Sequence, residues 1–185
     1  MMKNKFHNTL IILLFICNPL IAGQGSAGAK FLQINTTTRG SANAGTMVAR
    51  PGLIDALSYN PATTATLTGS NFVIHHSNYF VGMSFDYMSF TYNVPSFGTV
   101  SMGLLGLLSG DIEETTELQP LGTGRTFTAN DFAGFVSFAR SITDKFSGGG
   151  TIKYVIQNID KLTASGIAFD MGAIYKVGLF YDMTI

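Results

Sequence analysis

Gly166-Ile167-Ala168-Phe169-Asp170-Met171-Gly172-Ala173-Ile174-Tyr175-Lys176-Val177 is the stretch on which the reading of the fold turns. Ile167, Phe169, Met171, Ala173, Tyr175 and Val177 occupy every second position, and Gly166, Ala168, Asp170, Gly172, Ile174 and Lys176 fill the others. Side chains two apart share one face of a strand, whereas a helical face needs spacings of three and four. The segment therefore predicts a strand with one unbroken apolar face and one small or charged face. That division matches lipid on the outside and a lumen on the inside of an outer-membrane barrel wall.

Weaker copies precede it. Ile152, Tyr154 and Ile156 alternate with Thr151, Lys153, Val155 and Gln157. Phe132, Gly134, Val136 and Phe138 alternate with Asp131, Ala133, Ser137 and Ala139, with Phe135 intruding on the small face. Val100, Met102 and Leu104 form another apolar row. Between Met83 and Val94 the apolar set runs Met83, Phe85, Tyr87 and then Met88, Phe90, Tyr92, Val94. That slip of phase predicts a β-bulge between Tyr87 and Met88. Connections around Pro95-Ser96-Phe97-Gly98 and from Asp144 to Gly149 are short, and residues 110–126 are long and polar. Alternating short turns and long loops is the outer-membrane habit, although the join at Val81-Gly82 is short where a long one is expected. About seven strands are expected over residues 70–185. Residues 24–69 are small and polar without alternation, and there Leu53, Ile54, Ala56 and Leu57 behind Pro51 predict a short helix.

Composition agrees with this division. Of 185 residues, 46% are apolar and 12% charged, about half the charged share of an average soluble domain. Disorder is excluded by that hydrophobicity. Eleven basic and eleven acidic side chains cancel, which argues against a nucleic-acid partner. Twenty-one glycines with 15 Phe and 7 Tyr suit a barrel wall, and also a glycine-rich soluble β-sandwich.

Lys3 and Lys5, the apolar run Leu10 to Ile16, Pro19, and the small pair Ala22-Gly23 read as a secretory signal peptide over residues 1–23. The apolar run falls short of the roughly 20 residues of a membrane anchor. Cys17 is the sole cysteine, and the bulky Ile16 before it argues against lipid attachment, so the mature chain is expected to hold no disulfide. Without Lys3 and Lys5, nine basic side chains face eleven acidic ones. No other stretch reaches membrane-helix length uninterrupted, so an exported chain of this kind enters a bilayer only as a closed barrel.

Several segments carry a family likeness: Gly25-Ser26-Ala27-Gly28-Ala29-Lys30-Phe31-Leu32-Gln33-Ile34, Arg39-Gly40-Ser41-Ala42-Asn43-Ala44-Gly45 and Tyr59-Asn60-Pro61-Ala62. Ser109 to Glu117, Gly122 to Phe127 with Asn130-Asp131, Lys153, and Ala168 to Tyr175 continue it in order. Together they resemble the PorV/PorQ family, FadL-like outer-membrane β-barrels tied to type IX secretion. Asn43 and Ala44 stand where the family has Met-Gly, and Thr63 where it has Gly after Asn-Pro-Ala. The resemblance implies an all-β, antiparallel transmembrane β-barrel of about fourteen strands when complete. Residues 70–185 would then be an incomplete barrel of about seven strands, unable to close alone, behind a plug-like segment at residues 24–69. It implies location in the outer membrane of a Gram-negative bacterium, with outer-membrane lipid, secreted cargo proteins and other secretion-system subunits as partners. A FadL-like channel for hydrophobic small molecules is the alternative, and a soluble periplasmic β-protein a third class.

Arg39, Gly45, Asn60, Pro61 and Ala62 are the family-motif residues and are expected to hold the plug: Pro fixes φ, and Asn favours turns and caps. Direct contact of Asn60-Pro61-Ala62 with a transported ligand is the competing role. Asp111, Glu113, Glu114 and Glu117 are a candidate calcium cluster or a solvated acidic loop, without EF-hand spacing. His75 and His76 are adjacent, so a strand sends them to opposite faces and away from a shared metal. Gly122-Thr123-Gly124 lacks the Lys-Ser/Thr of a phosphate loop. No nucleophile, base and orienting group assemble from the sequence, so no enzyme, cofactor or metal is expected.

Overall fold

The computed structural model describes residues 28–177. The proposed leader with Cys17 and its cleavage point, the opening Gly25-Ser26-Ala27 and residues 178–185 lie outside them. The period-two stretches are strands: β1 (Ser70–Asn78), β2 (Ser84–Val94), β3 (Gly98–Leu108), β6 (Ala129–Ser141), β7 (Phe146–Ile159) and β8 (Leu162–Tyr175). They form one antiparallel sheet in the order β1-β2-β3-β6-β7-β8, an up-and-down meander. Two-residue strands β4 (Ile112–Glu113) and β5 (Thr126–Phe127) pair inside the long β3–β6 connection. The chain is thus all-β, as expected, with six long strands and two short ones among the described residues. Within those residues the sheet is open, β1 and β8 each having one neighbour.

The register sorts the side chains into rows. Ile74–Met88–Leu104–Gly134–Tyr154–Ile167 and Phe72–Phe90–Met102–Val136–Ile152–Phe169 run across all six strands on one face. The opposite face carries Asn71–Thr91–Ser101–Ser137–Thr151–Asp170, one step beyond the Phe72–Phe169 row. Large apolar side chains on the first face are exposed, Phe169 at 68% and Met171 at 91%, whereas Thr91, Ser101 and Ser137 on the second are fully buried. This reverses the apolar-in, polar-out order of a soluble sheet.

Residues 31–69 cover the hydroxyl-rich face. They fold as 3₁₀ turns at Thr46–Ala49, Ile54–Ala56 and Pro61–Thr66 and one α-helical turn, α1 (Thr38–Ala42), capped by Thr37, whose Oγ1 accepts from Gly40 N at 3.0 Å. The helix expected over Leu53–Leu57 is the single 3₁₀ turn Ile54–Ala56. Small side chains on both partners let this cover lie close. The covered hydroxyls bond one another: Thr91 Oγ1 donates to Ser101 Oγ at 3.1 Å, and Ser137 Oγ pairs with Thr151 Oγ1 at 2.5 Å. That satisfies groups whose burial would otherwise be costly.

The β-bulge expected between Tyr87 and Met88 is absent. β2 pairs without interruption, Tyr87 with His75 and Leu105, Met88 with Ile74 and Leu104. Phe85 and Tyr87 lie on the covered face beside Ser89 and Thr91, and Met88, Phe90 and Tyr92 lie opposite. The covered face changes from aromatic to hydroxylated along the strand, which imitates a change of phase. Tyr87 stacks on Phe135 at 6.1 Å between ring centroids, which also accounts for the phenylalanine that interrupts the small face of β6.

Candidate functional site

The covered face of β7 and β8 holds the Asn60-Pro61-Ala62 motif. Asn60 is extended (φ −156°, ψ 110°) and caps the Pro61–Thr66 turn, its Oδ1 accepting from Ala62 N at 3.0 Å, and Pro61 takes the first turn position. Asn60 Nδ2 donates to Val48 O at 2.8 Å and to Ala173 O at 3.2 Å. Lys176 N donates to Lys145 O, ahead of β7, so even-numbered positions of β8 turn their backbone groups towards β7. Ala173 O therefore faces the free edge, and Asn60 gives a partner to an edge carbonyl.

Directly paired Gly149 and Gly172 form the seat beneath the motif. A methyl group on Gly172 would overlap Asn60 Oδ1, and one on Gly149 would stand 2.9 Å from both Pro61 C and Ala62 N. Only hydrogen at these two positions lets the turn settle on the sheet. Thr63 is fully buried, with Oγ1 donating to Asn60 O at 2.7 Å. Gly45 follows α1 at φ +76°, a conformation that favours glycine, and its N–H donates to Gly40 O.

A second cluster ties the cover to β1. Asp55 Oδ1 meets His75 Nε2 at 3.2 Å and Asp55 Oδ2 lies 3.7 Å from Arg39 Nη1, while Thr38 Oγ1 is 3.4 Å from His75 Nδ1. Tyr59 OH donates to Asn35 Oδ1 at 3.0 Å; burial first, and the Asp55 charge second, raise its pKa, so the phenol keeps its proton. His76 points the other way, to Asp86 at 2.6 Å, so the two histidines lie on opposite faces. On the covered face Lys153 Nζ reaches Asp170 Oδ2 at 2.7 Å, beyond the glycine seat.

The acidic loop does not gather into a metal site: no group of three or more potential ligands converges among the described residues. Glu114 instead accepts from Arg125 Nη1 at 2.7 Å and from Thr123 Oγ1 at 2.9 Å. Arg125 Nη2 also donates to Asp160 Oδ1 at 2.5 Å, in the β7–β8 turn. The Asp160 bond first, then that to Glu114, raise the guanidinium pKa. Gly122-Thr123-Gly124 forms the returning arm of this hairpin, with Thr123 N donating to Glu114 O at 2.8 Å.

No family model matches the chain, and neither a curated protein nor a solved structure is similar to it.

Of the motif residues, Asn60, Pro61 and Ala62 act together on β7 and β8, Arg39 belongs to the Asp55–His75 cluster, and Gly45 shapes the turn between them. Asp55, Gly149 and Gly172 escape a sequence reading. The available signal is that Gly172 falls on the small face of a long strand, away from any turn, where glycine marks a close approach; Gly149 reads as the end of the turn from Asp144 to Gly149, and only the structure puts it inside β7.

Proposed function

We propose that this chain forms part of the wall and the luminal plug of an outer-membrane β-barrel of the PorV/PorQ type, and that it binds proteins exported by type IX secretion. The inverted sheet is the observation that carries the membrane part of this reading: apolar rows exposed on one face, buried hydroxyls and a seated cover on the other. The apolar rows are bounded by polar side chains, His76–Asp86 at one end and Arg140 at the other. On β6 the span from Phe132, level with Asp86, to Arg140 is eight residues. At about 3.4 Å each that is roughly 27 Å along the strand, or about 21 Å along the membrane normal for a tilt near 40°, comparable with the roughly 25 Å apolar band of such barrels. No helix among the described residues is long and apolar enough to cross a membrane.

The exported-protein role comes from the family resemblance. It is favoured over a channel for hydrophobic small molecules because the apolar side chains of the covered face, Phe85, Tyr87, Leu105, Phe135 and Val155, are themselves buried. Two measurements test the proposal. The full chain, exported in its own host, should fractionate with the outer membrane and need detergent for extraction; recovery as a soluble periplasmic protein would refute the membrane reading. Deletion of the gene should strand exported proteins in the periplasm while long-chain fatty-acid uptake continues. Normal secretion with impaired uptake would transfer the proposal to the channel.

A further inference from the structure

Three connections meet at one end of the sheet: residues 79–83 between β1 and β2, residues 109–128 between β3 and β6, and Asp160-Lys161 between β7 and β8. The long one is built. Its β4–β5 ladder is extended by Glu114 N donating to Arg125 O at 2.8 Å and by a bridge between Thr116 and Gln119, and Arg125 fastens it to Asp160. At the tip of this ordered hairpin Leu118 and Leu121 are 94% and 95% exposed. In the neighbouring β1–β2 connection Phe80 and Val81 are 63% and 86% exposed. The two connections approach each other, since a methyl group on Gly110 would stand 3.8 Å from Gly82 O. Val81 sits at φ +56°, a region that β-branched residues avoid.

Leucines at the tip of a fixed hairpin gain nothing from the fold that displays them. Apolar side chains gathered at one end of a molecule mark a surface for a partner. The charge around them says which. Asp111 and Glu117 are exposed and make no ion pair among the described residues, whereas Arg125 is already shared by Glu114 and Asp160, which leaves Lys161 as the nearby cation. An anionic lipid surface would be repelled by these carboxylates, and a segment joining basic to apolar side chains would be drawn to them.

We propose that this loop end is a docking surface for a segment of an exported protein that presents lysine or arginine together with apolar side chains. The proposal rests on the secretion reading above and gives that reading a place on the molecule. Because the hairpin is already ordered, docking costs little conformational entropy on this side.

The test uses the full chain in detergent micelles and two fluorescent peptides, one of lysine, leucine and serine and one with glutamate in place of lysine. The lysine peptide should bind, and more weakly as salt is raised. Its affinity should fall about tenfold or more in Leu118→Ser/Leu121→Ser and again in Asp111→Asn/Glu117→Gln. These side chains are exposed, so the fold should survive their replacement. Equal binding of both peptides, or unchanged binding in both double variants, would overturn the inference. In a deletion strain, complementation separates it from the reading beneath it. Secretion restored by the wild type and equally by Leu118→Ser/Leu121→Ser would remove the docking surface and leave the secretion role. A deletion strain that secretes normally would remove both.

Discussion

Alanine at the middle of the glycine triplet Gly148-Gly149-Gly150 should loosen the cover formed by residues 31–69, and alanine on either side should not. Gly149 faces the Pro61–Thr66 turn, and its added methyl would stand 2.9 Å from Pro61 C and Ala62 N and 3.1 Å from Ala139 Cβ. Two of those atoms are backbone and cannot rotate away. Gly148 and Gly150 face outward, and their methyls would find only Ile142 Cδ1 or Asp170 O at 3.6 Å, an ordinary contact. Overpacking of this kind costs about 1–3 kcal/mol. Removing glycine's freedom in the unfolded chain returns about 0.4–1 kcal/mol at all three positions. Gly149→Ala should therefore be destabilising by up to about 2.6 kcal/mol, with its neighbours neutral or slightly stabilising. The full chain in detergent micelles would be followed by hydrogen exchange at the amides of Thr63 and Leu67, which donate to Asn60 O and Thr64 O within the seated turn. A difference of about 1–3 kcal/mol between Gly149→Ala and its neighbours means exchange about 5–150 times faster if these amides open with the cover. Equal exchange in the three variants would refute the glycine seat.

Asn60→Ala should release Val48 O, Ala173 O and the Ala62 amide together and cost about 1.5–4 kcal/mol, whereas Asn60→Asp keeps the bond to Ala62 N but sets a buried carboxylate oxygen against both carbonyls and should lose more; denaturant midpoints compare the two. Tyr87→Phe removes a buried hydroxyl that has no hydrogen-bond partner among the described residues and should leave stability unchanged or raise it by up to about 1 kcal/mol, while Tyr59→Phe, which loses the bond to Asn35, should lower it by about 1 kcal/mol. Met102→Lys, at mid-height of the outward apolar rows, should cost about 2–4 kcal/mol for folding into lipid vesicles. A soluble sheet would carry that exposed lysine without loss, so a neutral result counts against the bilayer. Arg125→Ala should open the hairpin to protease between residues 116 and 121 and leave the unfolding midpoint of the sheet where it was.

The strands were legible because alternation is local. β8, β7 and most of β6 announce themselves in Ile167 to Val177, Thr151 to Gln157 and Asp131 to Ala139, since the pleat sends consecutive side chains to opposite faces whatever lies beyond them. The same rule placed His75 and His76 back to back. Which face is covered, and by what, is not local. Phe85 and Tyr87 read as a phase slip because the sequence does not show that aromatics and hydroxyls share one buried face, the aromatics matched to Phe135 on a strand some fifty residues away. The Asn-Pro-Ala motif was visible as a turn former, but its seat is made by the absence of side chains at Gly149 and Gly172, brought together by register. Arg125 likewise shows its role only when the β7–β8 turn carries Asp160 to it. Sequence by itself determined the strands, their alternating faces and the exposed acidic loop, because those follow from backbone geometry and neighbouring residues. Tertiary structure alone decided the seat of the Asn-Pro-Ala turn, the Asp55–His75 tie and the anchoring of the hairpin, because each needs groups distant in the chain to arrive within a few ångströms of one another.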